Sequence, residues 1–520
     1  MNTKNPDSFK QFSSPFSSDD GLRHKSVRGA FFMATTGGVE FVVRLGATLI
    51  LARILSPEDF GLVAMVMALT GLVDLVKDLG LGMATVQRKD ITHREISSLF
   101  WINMSVGGLL ALAFLAISPA ISWFYEDSRL ITITPPLAAT LLWGGMAVQH
   151  EALLTRQLKQ GHLAVIRLST TLLSSAGGIV LALVGFGYWS LVVREVTRSF
   201  IYLLGVWWAC RWMPAFLLRP KEVRGFLSFG RDLTLGNFVN SITRIDGILV
   251  GKFFGSEVLG LYRQAQNLIS TPVEQLNGPV FNVAQPGISS LQSEPDRYRR
   301  YYQRVVGFVA LVTMPLGVFA VAYPEDLTLV VLGEQWLPVA PFIAVFAVAA
   351  ALRPTMATTS LVLFSLGRAK VMFYLTLVHS LVLTLLMFAS LPWGALGIAT
   401  VHVATSIITF PVTLHYSLKE SPVSRGVFFS AIKMSLISTV CMGVSLVLFR
   451  LMVPIESPFS SLLAGCAVGS ITYLLPWMLL PTGRMELRLI LEDFSNALLR
   501  RAVRTGPSAV GKHQESRAAT

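Results

Sequence analysis

The chain has 520 residues, of which 53% are hydrophobic and 14% are charged, and its mean hydropathy is +0.60. Soluble globular proteins carry about 25% charged residues, so this composition excludes a soluble globular chain and predicts an all-α polytopic membrane protein. The formal net charge of +13 raises nucleic acid as a partner, but the basic residues fall in alternate short loops, which is the pattern of membrane orientation. Nucleic acid is therefore not expected to bind.

About 14 apolar segments follow a polar, Ser-rich N-terminus, and each is predicted to be a transmembrane helix. Residues 1–26 are expected to form a disordered cytoplasmic N-terminus. The helices are predicted at 29–54, 60–86, 99–122, 130–154, 165–184, 187–209, 225–250, 257–290, 305–322, 338–366, 371–391, 394–416, 427–453 and 460–481. Behind them, residues 483–520 are predicted to form an amphipathic cytoplasmic helix on the lipid surface and a disordered tail.

The turn between the first two segments carries the signals of a helix start. Ser56 supplies a side-chain oxygen for capping, Pro57 suits the first helical position, and the two acids that follow favour the positive end of a helix. The stretch 53–62 aligns without a gap on 252–261, with the cation, the acid and the Gly-Leu pair matched. Both copies lie between two long apolar segments, so the sequence predicts an internal duplication of this hairpin.

Basic residues alternate from loop to loop along the chain. The loops after even-numbered segments hold several Arg and Lys residues, whereas the others hold mainly Asp and Glu, with Arg129 and Lys252 as their only cations. Because short cytoplasmic loops carry an excess of Lys and Arg, this alternation predicts that both termini are cytoplasmic.

Several charges and amides fall in the middle of predicted spans, where a charge that faces lipid costs about 2.5 to 3.5 kcal/mol. They are expected to face a water-filled interior. Arginine makes forked contacts to phosphate oxygens and stays charged when partly desolvated, so an anionic substrate is expected. The candidate substrate contacts are Arg44, Arg194, Arg198, Arg244, Arg353, Asn237 and Asn240.

Four acids in the same spans are candidates for ion coupling: Glu40, Asp74, Asp78 and Glu274. Asp74 and Asp78 are one turn apart, which places them to share a proton. The alternative is that these charges only pair between helices, and Glu40 is suitably spaced from Arg44 to do so. His379 and His402 are also near mid-span, but a lone histidine on an apolar helix is expected to be packed and hydrogen-bonded.

No motif for a cofactor or a catalytic metal occurs in the sequence. The three cysteines have no metal-ligand spacing, and no nucleotide-binding loop of the GxxxxGK[ST] kind is present. We therefore expect neither cofactor nor metal, and a transport step driven by the membrane potential, an ion gradient or substrate supply.

The stretch Leu51-Ala52-Arg53-Ile54-Leu55-Ser56-Pro57-Glu58-Asp59-Phe60-Gly61-Leu62, continued by Asp78-Leu79-Gly80-Leu81-Gly82, resembles the polysaccharide flippases of the multidrug/oligosaccharidyl-lipid/polysaccharide (MOP) superfamily. It is most similar to the Wzx-type branch that includes the colanic acid exporter. The stretch Gly255-Ser256-Glu257-Val258-Leu259-Gly260-Leu261-Tyr262 resembles the matching segment of the second half. The resemblance covers about residues 27–480.

This resemblance implies two pseudo-symmetric six-helix lobes, here 27–210 and 211–418, with two further helices in 419–482. It implies an alternating-access flippase in the bacterial inner membrane that acts on undecaprenyl-diphosphate-linked oligosaccharide, with other polysaccharide-assembly proteins as candidate partners. One alternative is a cation-coupled multidrug exporter of the same superfamily. The other is a membrane glycosyltransferase or polymerase that uses Glu58 and Asp59 as acids.

Overall fold

The computed structural model describes residues 19–77, 80–88, 91–216, 245–481 and 483–485, without the side chains of 19–34, 74–77 and 276. Every regular element in these ranges is helical. The α-helices are α1 Asp19–Ile54, α2 Pro57–Lys77, α3 Leu81–Gln87, α4 His93–Tyr125, α5 Leu130–Arg156, α6 Gln160–Leu183, α7 Trp189–Cys210, α8 Asp246–Ser289, α9 Pro295–Ala322, α10 Pro324–Val331, α11 Ala340–Ala357, α12 Thr359–Ser365, α13 Ala369–Ser390, α14 Gly394–Leu418, α15 Arg425–Met452 and α16 Pro458–Leu479. Short 3₁₀ helices cover Glu334–Val339 and Leu391–Trp393.

Eight of the described helical stretches are long and apolar enough to cross a membrane. The chain is therefore an all-α, multi-pass membrane protein, as its composition predicts. The count of 14 helices stays a prediction, because the seventh predicted segment lies almost wholly in 217–244, outside the described residues. Most of the predicted cytoplasmic helix and tail in 483–520 is also outside them, and α1 begins at Asp19, inside the stretch predicted to be disordered.

The helices break at three points. One break, at Gly255, lies between the predicted spans 225–250 and 257–290, and the other two interrupt the second and the tenth predicted spans. The second divides into α2 and α3 at Gly80, whose φ of 65° lies in the left-handed region that glycine tolerates. The helix α8 contains a non-helical residue, Gly255, at φ 84° and ψ 178°. The tenth span ends its first helix at Ala357, four residues after Arg353 and just beyond Pro354.

The first turn of α2 forms as the sequence predicts. The backbone N–H of Asp59 donates to Ser56 Oγ at 3.2 Å, and the Asp59 carboxylate accepts from the Ser56 backbone N–H at 3.0 Å. This reciprocal cap satisfies two backbone donors that the helix itself leaves free. Pro57 occupies the first helical position.

We call residues up to 216 the first half and residues from 245 the second half. In the first half, α4 packs along α5, α7 packs on α5 and α6, and α1 packs on α6. In the second half, α9 packs on α11 and α15, α13 packs on α14, and α15 packs on α16. The two halves join mainly where α2 crosses α8.

The crossing of α2 and α8 depends on two glycines. A Cβ on Gly61 would overlap the carbonyl oxygen of Ser256, and a Cβ on Gly260 would overlap the carbonyl oxygen of Pro57. In the alignment of the two hairpins, Gly61 corresponds to Gly260 and Pro57 to Ser256. The contact is therefore reciprocal, and it brings the two backbones closer than any other residue pair would allow.

Further reciprocal contacts join the two halves beside this crossing. Arg53 Nη2 donates to the Val330 carbonyl at 2.5 Å, and its counterpart Lys252 pairs with Glu126 Oε1 at 2.7 Å. Trp336 Nε1 donates to the carbonyl of Ala52 at 2.6 Å. At Gly251, the counterpart of Ala52, a Cβ would lie 2.9 Å from the Tyr125 ring. We call the end of the molecule that carries these contacts the closed end.

Candidate functional site: a cavity between the halves

A cavity of about 360 Å³ lies between the two halves. Its walls come from α1, α2 and α7 of the first half and from α8 of the second. Phe60 and Gly260 are among the lining residues, so the glycine crossing closes one end of the cavity. The polar lining residues are Arg44, Thr48, Arg194, Glu195, Arg263, Gln264, Asn267, Thr271 and Glu274.

Arg194 lines the cavity from α7 with an unsatisfied donor. Its Nε atom is buried and has no hydrogen-bond partner among the residues that the structure describes. The stem of the side chain packs on α6, where a Cβ on Gly178 would lie 3.1 Å from Arg194 Cβ. Because a buried N–H donor without a partner is costly, this position favours an acceptor, such as an anion, beside Arg194 Nε.

Arg44 lines the cavity from α1, ten residues or ~15 Å along the axis before the helix ends at Ile54. Within the described ranges, no side-chain hydrogen bond or ion pair reaches its guanidinium. Glu40, one turn earlier, instead accepts a hydrogen bond from Thr171 Oγ1 on α6 at 3.3 Å. The pairing of Glu40 with Arg44 that the spacing allows is thus not formed here.

The remaining predicted residues are distributed more widely. Glu274 lines the cavity from α8. Arg198 is 53% exposed and pairs with Glu195 at 2.8 Å. Neither Arg198 nor Arg353 on α11 is a lining residue of this cavity. The other predicted side chains, those of Asp74, Asp78, Asn237, Asn240 and Arg244, lie outside the described residues.

The two acids of the first hairpin turn have structural partners. Asp59 caps α2, and Glu58 Oε1 lies 2.5 Å from Arg129 Nη2, at the loop between α4 and α5. Both therefore belong to the closed end of the molecule and not to the cavity.

Residues 50–341 match the family described as polysaccharide biosynthesis protein. The match covers more than half of the chain. The chain belongs to this family.

Curated relatives of this polysaccharide biosynthesis protein carry related names. The teichuronic acid biosynthesis protein TuaB of Bacillus subtilis is 29% identical over 393 residues, which cover 72% of this chain and 78% of TuaB. The succinoglycan biosynthesis transport protein ExoT of Rhizobium meliloti is 25% identical over 484 residues, covering 91% and 95% of the two chains. The lipopolysaccharide biosynthesis protein WzxC of Escherichia coli is 23% identical, covering 64% of this chain and 68% of WzxC.

The polysaccharide biosynthesis protein shares its fold with solved transporters. The lipid II flippase MurJ, in an inward closed conformation, superposes with a TM-score of 0.71 at 13% identity, covering 86% of this chain and 98% of MurJ. A multidrug resistance MATE family transporter of the MOP superfamily, in an inward-facing conformation, has a TM-score of 0.55, also at 13% identity, covering 76% and 96%. The family match confirms the predicted likeness to polysaccharide biosynthesis membrane proteins, and the likeness to the two solved transporters is one of fold.

One part of the site was not predicted. In this polysaccharide biosynthesis protein, Arg263 of the cavity wall pairs with Asp246, whose carboxylate is 1% exposed, at 3.1 Å. Tyr262 and His402 contact the same carboxylate. Asp246 and Arg263 are 17 positions apart with the Gly255 break between them, so no helical spacing in the sequence indicates that they meet.

Proposed function

We propose that the protein is a flippase that moves undecaprenyl-diphosphate-linked oligosaccharide from the cytoplasmic to the periplasmic leaflet of the bacterial inner membrane by alternating access. The observation that carries the proposal is the cavity between the two halves, which is lined by arginines and closed at one end by the glycine crossing. The names of the relatives, which concern polysaccharide synthesis and transport, support the same substrate class.

The charges of the cavity favour an anion over a cationic drug. Three arginines and two glutamates line it among the described residues. Glu195 pairs with Arg198 at 2.8 Å, whereas neither Arg44 nor Arg194 forms an ion pair within 4.0 Å among the described residues. A diphosphate would supply the missing acceptors through charge-assisted hydrogen bonds. The excess of arginines over acids in the lining gives less support to the alternative within the superfamily, a cation-coupled multidrug exporter.

The orientation and the lobes belong to the same proposal. With both termini in the cytoplasm, the lobes are residues 27–210 and 211–418, the two extra helices lie in 419–482, and the closed end faces the periplasm. Substrate would then enter from the cytoplasmic side. Topology reporters fused at Asp127 and after Arg300 test this orientation: a cytoplasmic signal at Asp127 would overturn it.

The role proposed here is transport without catalysis. The acids Glu58 and Asp59, on which a glycosyltransferase would depend, are committed to Arg129 and to the cap of α2. Among the acids predicted to couple ions, Glu274 is the one placed on the cavity wall, so we keep it as a coupling candidate. Glu40, Asp74 and Asp78 stay predictions of the same kind.

The test is flipping of a fluorescent undecaprenyl-diphosphate-linked oligosaccharide in proteoliposomes. Arg44→Ala and Arg194→Ala should each lower the rate roughly tenfold, because a hydrogen bond to a charged group is worth about 1.5 to 3 kcal/mol. Arg198→Ala is the matched control one turn further along α7, and Arg297→Ala, whose residue pairs with Glu294 at 2.8 Å, is a control outside the cavity. Equal rates for all four variants at equal abundance would remove the cavity from the mechanism.

A further inference from the structure

A buried network in the second half converges on the carboxylate of Asp246. Arg263 Nη2 lies 3.1 Å from Oδ1, and Tyr262 Oη donates to Oδ2 at 3.0 Å. His402 Nε2, on α14, lies 3.4 Å from the same Oδ2 and 3.1 Å from Tyr262 Oη. Asp246 is 1% exposed and His402 is 7% exposed. A single carboxylate is therefore shared between one permanent cation and one group that can become a cation.

Arg263 belongs to two environments. It lines the cavity together with Arg44 and Arg194, and its side chain is 24% exposed. Its guanidinium also lies directly over Gly247, so that a Cβ there would overlap Nη2, and Nη1 donates to Gln266 Oε1 at 2.6 Å. The ion pair with Asp246 thus keeps the Arg263 guanidinium from turning fully toward the cavity.

The hydrogen bonds define where His402 takes up a proton. Because Tyr262 donates its proton to Asp246, the tyrosine oxygen is an acceptor toward His402, and Nε2 of the histidine carries the hydrogen. A second proton then goes to Nδ1 and produces an imidazolium beside Asp246. This charge offers the carboxylate a second cationic partner, which weakens its hold on Arg263.

Other charged groups face His402 from the surrounding helices. Arg263 and Asp246 come from α8, and Arg353 comes from α11, within electrostatic range of Asp246 and Glu274. His379, on α13, is within electrostatic range of His402, and its Nδ1 lies 2.9 Å from Thr409 Oγ1. Asp246 is the acid among these neighbours, and the others are two arginines and a second histidine.

We propose that His402 is a proton-binding site coupled to anion binding in the cavity. When the proton arrives, the Asp246 carboxylate exchanges its ion pair with Arg263 for one with the His402 imidazolium. The inference rests on the proposed function, because it assumes that the cavity binds a diphosphate. It places the coupling in the second half, on residues other than Asp74 and Asp78. Released from Asp246, Arg263 turns to the anion beside Arg44 and Arg194.

Linkage fixes the direction of the effect. If protonation of His402 strengthens anion binding, then anion binding strengthens protonation by the same factor. The anion should bind more tightly at low pH, and its binding should be accompanied by uptake of a proton. Coupling of this kind typically changes affinity by about 5-fold to 150-fold.

The experiment is calorimetric titration of the full-length protein in nanodiscs with inorganic pyrophosphate. Runs in two buffers of different ionisation enthalpy give the number of protons taken up per pyrophosphate bound. His402→Gln keeps a donor toward Tyr262 and removes the titrating group, and His379→Gln is the matched control on the neighbouring helix. Since pyrophosphate itself titrates equally for every variant, only differences between variants are compared.

We expect the wild type and His379→Gln to take up more protons per pyrophosphate bound than His402→Gln does. Between pH 8 and pH 6, the ratio of the wild-type affinity to that of His402→Gln should rise at least about fivefold. Gly247→Ala should displace Arg263 from Asp246 and give tight, less pH-dependent binding at pH 8.

If His402→Gln binds pyrophosphate and takes up as many protons as the wild type, this inference is overturned and the proposed function stays intact. Weaker binding by Gly247→Ala at pH 8 would also count against it, because Arg263 would then act in its paired position. If the wild type binds no pyrophosphate at any pH, the proposed function fails and this inference fails with it.

Discussion

The two aligned hairpins contribute to both the closed end and the cavity, yet only the closed end is symmetric. At the closed end, Gly61 and Gly260 exchange places against Ser256 and Pro57, and each half contributes a basic residue that reaches across. In the cavity the corresponding side chains differ: at the same interval along the chain, Asp246 and Arg263 correspond to Ala47 and Ala64. The aligned stretches of the two hairpins thus meet in the same way, whereas the charges that would bind substrate differ between the halves.

This difference between the closed end and the cavity reflects the different requirements of a gate and of a binding site. A gate that opens and closes needs two backbones of matched shape, and small residues at a crossing satisfy this with no particular chemistry. A binding wall needs charges whose partners suit one ligand, and each half supplies different ones. The first half presents Arg44 and Arg194 without acidic partners in the described structure, whereas the second half presents Arg263 already paired.

The largest effect should come from breaking the symmetric contact. Gly61→Ala or Gly260→Ala places a methyl group on an opposing carbonyl oxygen, so α2 and α8 must separate at the closed end. Overpacking of this kind typically costs about 1 to 3 kcal/mol. We expect transport to fall at least roughly tenfold, because a cost near 2 kcal/mol exceeds a factor of ten in the closed population. The measurement is flipping in proteoliposomes, with spin labels at Ser128 and Glu334 reporting the separation of the halves.

Matched controls lie on the same two helices. Gly71 on α2 and Gly278 on α8 have open space where a Cβ would be, so Gly71→Ala and Gly278→Ala should transport as the wild type does. If the controls and the crossing variants lose transport equally, or if the label distance is unchanged in Gly61→Ala, the crossing is not a gate.

A smaller effect should distinguish two aromatic residues that hold the closed end. Trp336 is fully buried and donates to the Ala52 carbonyl at 2.6 Å, whereas Tyr125 Oη is buried with no hydrogen-bond partner among the described residues. Trp336→Phe removes one hydrogen bond and should therefore disfavour the closed state by about 1 kcal/mol. The effect should be no larger, because Gln335 Nε2 still donates to the Ala52 carbonyl at 2.7 Å. Tyr125→Phe should be neutral or favour closure. A greater loss of closure in Tyr125→Phe than in Trp336→Phe, read from the same label pair, would contradict this assignment.

The symmetric region was the more predictable one. The helix start at Ser56 and Pro57 has a local cause, so the sequence predicts it, and the structure confirms the cap. The recurrence of the hairpin was also readable, because a duplication leaves matched residues at a fixed interval. That Gly61 and Gly260 would face each other was not, since the motif contains no information on which surfaces of the two copies meet.

The cavity shows the opposite case. Periodicity indicated that Arg44 and Arg194 avoid lipid, and both are on the cavity wall. The i,i+3 spacing allows Arg198 to pair with Glu195, but it does not show that Arg198 lies outside the cavity lining while Arg194, one turn before it, lies on the wall. The contact of His402 with Asp246 joins residues 156 positions apart and depends on how α14 packs on α8. Long-range side-chain pairs of this kind have no signature in a single sequence.

The smallest effect concerns the ion pair that joins the halves at the closed end. Lys252 lies 2.7 Å from Glu126, whose side chain is 80% exposed, and the hydrogen bond from Lys252 holds the pKa of Glu126 below its ordinary value of 4.5. A lowered pKa means that the pair stabilises closure fully above that ordinary value and loses its contribution as the pH falls through the lowered one. Because exposed pairs contribute little, Glu126→Gln should change the closed population at pH 7 by less than about fivefold, and it should match the wild type once the pH has fallen through the lowered pKa of Glu126. Glu58→Gln is the control, since its partner Arg129 lies in the same half and its loss should not separate the halves at all.

The charge exchange Glu126→Lys with Lys252→Glu should restore the wild-type distance between labels at Ser128 and Glu334. A closed population that falls more in Glu126→Gln than in Gly61→Ala would mean that charge, and not the backbone crossing, holds the two halves together.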